Sequence, residues 1–585
     1  MSPVQLLPVA VLLPLGLAAL LLAVAHWLPP RVADAASVLA SLILVALCGW
    51  LAVQALHGPV VHWFGGWTPV ASGRPGVVLG IGFSADPMSA IIAAFCALLF
   101  ALSFIFAWGY FDKIHAHFHV LMLLFMAAMI GFCLTRDLFN LFVWFELMSI
   151  AAFALTAYPL GSSALEGALN FTVTNALASF LMLAGVGLLY ARTGSLDFLA
   201  MAKAIARIAP DPVIAGGFVL VATALLTKAA IVPFHMWLAD AHAVAPTPVS
   251  VIFSGIMVGL GLFGILKLTT QVFAADAQVM ALVHEGLFAL GIATALTGGL
   301  MAWAQRHLKR LLAFSTISHL GIMLTAVAAV SATGTTGLLL YLIGHGLVKG
   351  ALFMIAGILL ARRDSVDELA LYREGRALWP VGVVMAVAGL LLGGLPAGSL
   401  YAASDLIHES AHSVAVMFVL VFAASLTGAA VLRAACRIFA GWSGTPGVEV
   451  TAPTERGREQ PDRPLWLMLL PCALMIGVAV LPVDSVAPFA GRAAALLLRP
   501  NGQAPIVIAS DHVTLGSFFA LAMTLAILAG ALMRERPTGR IARRAARTER
   551  LPFDALQFLH SGLVTDYVAW MAVGVALLAG FLGLR

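Results

Sequence analysis

Charge is scarce in this chain: Asp, Glu, Lys and Arg make up 10% of 585 residues, against about a quarter in an average soluble domain. That scarcity excludes a soluble globular surface. With 62% hydrophobic residues and a mean hydropathy of +1.02, it points to a polytopic membrane protein. Cysteine is sparse too, and Cys48, Cys96, Cys133, Cys436 and Cys472 stand singly in apolar segments. Without Cys-x-x-Cys or Cys/His spacing they argue against a disulfide framework or an iron–sulfur centre and read as packing residues. No cofactor motif is present. Gly259-Leu-Gly261-Leu-Phe-Gly264 fits G-x-G-x-x-G formally, but it lies in an apolar run with no preceding strand. With Gly255 it reads as a close helix contact. His115, His117 and His119 alternate at a span boundary, a spacing too loose to favour a metal site over surface histidines. The polar stretches 443–463 and 534–550 are too short and too charged to hold a soluble domain. The second reads either as a surface or subunit-contacting helix or as a solvated loop. The first apolar stretch has no basic flank, so it is expected to be a retained span and not a cleaved signal peptide.

What the chain does have is a succession of apolar runs. Measured against the roughly 20 residues that a spanning helix needs, they give about sixteen candidate spans, from one centred near Gly16 to one near Ala572. The net charge of +5 does not point to nucleic acid, because Lys and Arg fall in short loops. Loops after odd-numbered spans carry Arg31, Lys113, Arg306, Lys309, Arg310, Arg362, Arg363, Arg373, Arg376, Arg433, Arg437, Arg456, Arg458, Arg463 and seven arginines between 534 and 550. By the positive-inside rule those loops are cytoplasmic. Sixteen spans would then leave both termini on the other side of a cell inner membrane. Trp63 and Trp67 read as interfacial anchors.

The ionisable residues inside spans carry the chemistry. Glu146 sits in LFNLFVWFELMS (138–149), where insertion scales disfavour a central carboxylate by about 2.5–3.5 kcal/mol. Lys228 is followed five residues later by Pro233, which removes a backbone hydrogen bond and tends to break the helix. Broken helices at membrane depth require protein or water around the freed carbonyls and mark ion sites in transporters. His345 and Lys349 share a helical face at i, i+4, although either could snorkel from a span end. Farther on, Gly393, Gly394 and Pro396 precede Asp405, His408 and Glu409, reading as a second interrupted helix. Burial favours loss of a lysine's proton and a nearby carboxylate opposes it. A carboxylate that moves can therefore switch a lysine between holding and releasing a proton. The alternative is a static pair that fixes helix packing. Several intramembrane groups in one chain favour a pathway.

These residues resemble a known family. LFVWFELMSI, TKAAIVPFHMWLADAHAVAPTPVS, LKRLLAFSTISHLGIM (308–323) and HGLVKGALF (345–353) are similar to the signatures of the antiporter-like proton-channel subunits. That family is shared by complex I, Mrp sodium/proton antiporters and group 4 membrane-bound hydrogenases. LHSGLVTDYVAW (559–570) resembles a C-terminal segment of some members. The resemblance implies an all-α polytopic membrane protein of about 14–16 transmembrane helices, with two inverted five-helix repeats, each with a broken helix. By its boundaries, 1–110 would be N-terminal helices and 111–272 a first repeat broken near Lys228 and Pro233. Residues 273–440 would be a second repeat broken near Gly393 to Asp405, with Pro396 in the break, and 441–585 C-terminal helices. It implies a proton pathway of Glu146, Lys228, His345, Lys349 and Asp405, with His235, His319 and His408 as secondary members. The outlet position aligns at Ser404 or Asp405. It implies no cofactor and no redox chemistry in this chain. Partners would be other membrane subunits, protons, possible Na⁺ and the lipid bilayer, with no nucleic acid. The function implied is proton translocation within a redox-driven complex of NADH-quinone oxidoreductase or hydrogenase type. Alternatives are an Mrp-type cation/proton antiporter subunit or the membrane partner of a proton-gradient-driven inorganic-carbon uptake protein. Many relatives carry a lysine in the eighth span where this chain has Gly259, so the relay is expected to be rerouted, through His319 or water, or altered in its coupling.

Overall fold

The computed structural model describes the chain except residues 1, 25–26, 28, 70–77, 79, 112–115, 412, 450–463, 499–516, 535–561 and 584–585. His115, Lys113, most of the polar stretch 443–463, the basic stretch after Arg534 and the first residues of the C-terminal motif therefore lie outside the described residues.

Apolar runs become helices here because the hydrocarbon core leaves every backbone group to be satisfied within the segment. Polar side chains then set the helix starts. Asp86, Asp137, Asp197, Asp211, Asp276, His307, Ser331 and Ser413 each accept a backbone N–H of the first turn, using donors the helix itself cannot satisfy. In chain order the helices are α1 (Val9–Val24), α2 (Pro30–Ala55), α3 (Pro87–Tyr110), α4 (Ala116–Leu134), α5 (Leu138–Ala157) and α6 (Ser162–Thr193). The amphipathic α7 (Phe198–Ile208) buries Phe198, Met201 and Ile205 on one face. The first broken helix is α8 (Pro212–Lys228) with α9 (Met236–Val244). Then come α10 (Thr247–Gln271), α11 (Ala277–Ala304), α12 (Leu308–Ala329) and α13 (Ala332–Arg363). The second broken helix is α14 (Trp379–Leu392) with α15 (Gly398–Ser410). The series closes with α16 (Val414–Ala440), α17 (Leu465–Val480), α18 (Ala487–Leu498), α19 (Ser517–Arg534) and α20 (Val564–Gly583).

Twelve helices among the described residues are long and apolar enough to cross a membrane. The other expected spans fall on the shorter apolar helices α8, α14, α17 and α19. Sequence reading missed two features. One is the antiparallel hairpin β1 (Val60–Trp63) and β2 (Gly82–Ala85), paired from Val60 opposite Ala85 to Trp63 opposite Gly82. The other is α18, too short to register as a span, which packs against α3 and α13.

The core is the set α10, α12 and α13. The first two are buried along their apolar length and α13 nearly so, whereas most residues of α1 and α20 are not buried. Small residues let the inner helices approach. A Cβ on Gly321 would fall 2.3 Å from the Ala295 nitrogen, and one on Gly298 2.3 Å from the Ser318 nitrogen, so α11 and α12 meet backbone to backbone.

One device occurs twice. Arg136 donates from Nε and Nη2 to Asp197 (2.7 and 3.2 Å), and Arg306 donates to Asp367 at 3.0 Å; both pairs span 61 residues. Each is locked by backbone bonds, from the Phe198 nitrogen to the Arg136 carbonyl and from the Glu368 nitrogen to the Arg306 carbonyl. A buried cation closes each clamp. Lys267 Nζ donates to the carbonyls of Cys133 and Thr135, both at 2.7 Å. Arg433 donates to those of Trp303 and Gln305 at 2.7 and 2.9 Å. The helix that follows is capped by Asp137 in the first clamp and by His307 in the second.

Candidate functional site

Glu146 lies on α5 and is half-buried. Ser179 on α6 donates its hydroxyl to Glu146 Oε1, so the carboxylate is not left bare in lipid. Lys228 is the last residue of α8 and is fully buried. Its Nζ donates to Ser149 Oγ at 2.6 Å and lies 4.3 Å from the centre of the Phe145 ring, a favourable position for a cation over a π face. Glu146 is the charge whose field acts on this ammonium. Phe145, Glu146 and Ser149 share α5, so one helix holds the carboxylate, the ring and the hydroxyl that address the lysine.

The chain leaves helical geometry immediately after Lys228. Ala230 has a left-handed φ of 50°. The freed groups find partners: Trp237 Nε1 donates to the Thr227 carbonyl at 2.9 Å, and the Val232 nitrogen donates to Thr294 Oγ1 at 3.1 Å. Pro233 sits in this break, and buried His235 stands at the N-terminal boundary of α9. The break places the ammonium at the C-terminal end of a half-helix, where unpaired carbonyls favour a cation.

A second polar cluster is centred on α12 and α13. His319 Nδ1 bonds the Tyr341 hydroxyl at 2.7 Å and Nε2 bonds Thr427 Oγ1 at 2.9 Å. The His345 ring lies 5.3 Å from the His319 ring, and its buried Nε2 has no hydrogen-bond partner among the described residues. Lys349, fully buried, donates to Ser315 Oγ and, at 3.3 Å, to the Leu312 carbonyl. His319, His345 and Lys349 thus form one contiguous group. Ordered hydroxyls, imidazoles and ammonium groups in a low-dielectric interior can exchange protons along hydrogen bonds, and few other tasks repay their burial.

The remaining expected members sit apart from that group. Asp405 lies on α15 and is exposed on the outside of the chain, hydrogen-bonded with Tyr401; Ser404 and His408 are half-buried beside it. Pro396 lies between α14 and α15. Of the histidines near residue 115, His119 is buried with Nε2 2.8 Å from Asp34 Oδ1, while His117 is exposed. Among the described residues no three metal-ligating side chains converge. The five cysteines are free.

Two assignments change. Lys309 counts as a loop cation by sequence but is fully buried in the first turn of α12 and donates to the Ala245 carbonyl at the end of α9 (3.0 Å). It thereby ties the first broken helix to α12. Arg433, also counted as a loop cation, is likewise buried within α16 and closes the second clamp. Sequence reasoning also missed Ser149, Ser179 and Ser315, because serines are common in membrane helices and only the ionisable residue each one meets sets it apart. Gly259 is buried against α13, and a Cβ there would meet Leu342 Cδ1 at 3.2 Å.

Residues 135–430, about half of the chain, match the family described as NADH:quinone oxidoreductase/Mrp antiporter, transmembrane. The chain is 32% identical over 303 residues to NADH-quinone oxidoreductase subunit N of Desulforudis audaxviator, covering 51% of this chain and 58% of that one. It is 31% identical over 317 residues to NAD(P)H-quinone oxidoreductase chain 4-2 of Synechocystis sp., covering 53% and 56%. The chain thus spans somewhat more than half the length of these relatives. Its fold is similar to a chain of the Mrp complex from Dietzia sp. DQ12-45-1b, with a TM-score of 0.74 and 25% identity over 86% of this chain and 98% of that one. It is also similar to a chain of respiratory complex I from Thermus thermophilus, with a TM-score of 0.62 and 24% identity over 86% and 100%. The match covers both Arg–Asp pairs, both broken helices and every ionisable residue of the two clusters, and the chain belongs to the NADH:quinone oxidoreductase/Mrp antiporter family of polytopic membrane proteins.

Proposed function

We propose that this chain is a proton-translocating subunit of a multisubunit complex in the cell inner membrane. Protons pass by way of Glu146, Lys228, His345 and Lys349, with His319 and His235 as secondary members. The carrying observation is a pair of fully buried lysines whose hydrogen bonds go to hydroxyls and carbonyls and not to carboxylates. Each has a serine hydroxyl among its partners, a group that can itself take and release a proton, whereas the buried Lys267 and Lys309 that tie helices together donate to backbone carbonyls. Glu146, held by Ser179 and acting on Lys228 through space, is the charge switch. The exposed Asp405, with His408, forms the outlet at a surface covered by a neighbouring subunit. The repeated clamps, with five crossings between them, support two inverted repeats over 111–272 and 273–440. The loop charges support sixteen spans with both termini away from the cytoplasm.

The driving reaction belongs to partner subunits and is redox in kind, a reading supported by the quinone oxidoreductase relatives. A cation/proton antiporter without redox chemistry is the second reading, favoured by the fold likeness to the Mrp chain. Proton uptake by proteoliposomes of the assembled complex tests the assignment. Glu146→Gln is expected to slow uptake about tenfold or more, as for loss of a group acting in proton transfer. Uptake at the wild-type rate would remove Glu146 from the mechanism. Uptake that requires Na⁺ and no electron donor would replace the first reading with the second.

A further inference from the structure

α10 packs against α8 of the first cluster and against α12 and α13 of the second, and so lies between the two. α10 meets the end of α8 at Gly261, where a Cβ would come 2.4 Å from the Leu225 carbonyl. It meets α13 at Gly255, whose carbonyl lies 2.3 Å from where a Gly346 Cβ would stand. At Gly259, between those contacts, the neighbour is the apolar Leu342. The polar crossing point is elsewhere. Residues Phe253–Met257 of α10 form a π-helical turn, a departure that often marks functional positions, and it carries Ser254. Ser254 Oγ lies 2.6 Å from Thr316 Oγ1 on α12, both residues being buried.

The Thr316 hydroxyl also donates to the Leu312 carbonyl at 2.9 Å, and Lys349 Nζ donates to that same carbonyl at 3.3 Å. One carbonyl thus holds the hydroxyl and the ammonium side by side. Ser315, the next residue along, accepts from Lys349 as well. Ser254, Thr316, Leu312 and Lys349 form a continuous polar path from α10 to the lysine on α13.

We propose that the Ser254–Thr316 hydroxyl pair is the proton-passing link across α10 in this chain, delivering to Lys349; the proposal rests on the transport reading above. Ser254 takes a proton on a lone pair and releases its own to Thr316. Thr316 accepts that proton, turns its own from the shared Leu312 carbonyl towards the neutral Nζ of Lys349 beside it and protonates the amine, and rotation of the two hydroxyls restores the starting arrangement. Nothing is oxidised and no hydroxyl holds net charge, so this stretch conducts without storing a proton. An ionisable group at Gly259 would store one. The link therefore sets where charge can rest: on the Lys228 side or on the Lys349 side, not between them.

The test uses the assembled complex in proteoliposomes, with subunit content checked by co-purification. Thr316→Val, which keeps the shape, and Ser254→Ala are each expected to slow uptake roughly tenfold and to enlarge the slowing in D₂O, with Thr316→Ser and Ser254→Thr restoring near-normal rates. Thr316→Val at the wild-type rate, beside an inactive Lys349→Met, would overturn the link and leave the transport reading standing. Equal loss in Thr316→Val and Thr316→Ser would assign the pair to packing and also overturn it. Normal uptake in both Lys228→Met and Lys349→Met would remove the transport reading, and the link with it.

Discussion

The two halves of the molecule share a scaffold and exchange its chemistry. Arg136–Asp197 and Arg306–Asp367 are the same clamp with the same spacing, and each precedes a helix capped by its own side chain. Along those helices the ninth residue is Glu146 on α5 and Thr316 on α12; the twelfth is Ser149 and His319. On the neighbouring helix, the same distance before the clamp aspartate, stand Ser179 and Lys349. The first half puts the charge on the capped helix and a hydroxyl beside it. The second half puts hydroxyls on the capped helix and the charge beside it. A repeated frame thus carries a carboxylate in one half and a lysine–histidine group in the other, because backbone clamping constrains helix placement and leaves the inward positions free to differ.

The sharpest test of that division compares the two lysines. Lys228→Met and Lys349→Met should each cut proton uptake on the order of 10²-fold, the scale expected when a group acting in proton transfer is lost. Double replacement should cost little more than either alone, because residues acting as one unit are not additive. If Lys228→Met retained transport while Lys349→Met abolished it, the central assignment in the first half would fail.

The clamps should differ in stability by less. Asp197 accepts two bonds from Arg136, and Asp367 one from Arg306, whose side chain is also more exposed. Breaking a buried pair costs about 3–5 kcal/mol, and bidentate pairs are the stronger ones. Because both aspartates also accept backbone N–H groups, the arginines are the partners to replace: Arg136→Met is expected near the bottom of that range, at about 3 kcal/mol, and Arg306→Met at about 2 kcal/mol. Unfolding in detergent measures both, and equal losses would make the second hydrogen bond irrelevant.

The smallest effect is a pH response of opposite sign at the two caps. Burial first, and then the charges of Arg310 and Lys309, hold His307 down to about 3 from 6.5. Between those values the unfolded chain binds a proton that the folded chain does not, so stability falls as pH drops from 6.5 towards 3. Asp137 is raised above 3.8 by burial, against the Asn140 N–H that lowers it. The folded state there keeps a proton that the unfolded chain has lost, so its contribution is greatest below 3.8 and declines as pH rises through the raised value. His307→Asn should shrink the loss of thermal stability between pH 7.5 and pH 5, and Asp137→Asn should not. An unchanged acid response in His307→Asn would place that sensitivity elsewhere.

Much of this architecture is legible in the amino-acid sequence. Apolar length and loop charge imply a multi-pass protein. Glu146, Lys228, His345 and Lys349 declare themselves because ionisable groups are costly in lipid, and Pro233 announces the break beside Lys228. Lys309 and Arg433 are not legible in the same way: a cation at a helix end reads as a loop charge until the carbonyls it meets are in place. Asp405 goes the other way, since its position after a glycine-rich break suggests the interior and the fold turns it outward.

The sequence by itself determined the membrane setting, the broken helices and the identity of the buried ions, because hydrophobicity and proline act locally along the chain. Only the tertiary structure decided which neutral partner each ion meets. That pairing depends on helices far apart in sequence being brought together: Ser149 with Lys228, Ser179 with Glu146, Ser315 with Lys349 and Ser254 with Thr316. Serine and threonine satisfy their own helices as readily as a neighbour, so only packing distinguishes the hydroxyls placed against a charge or against one another.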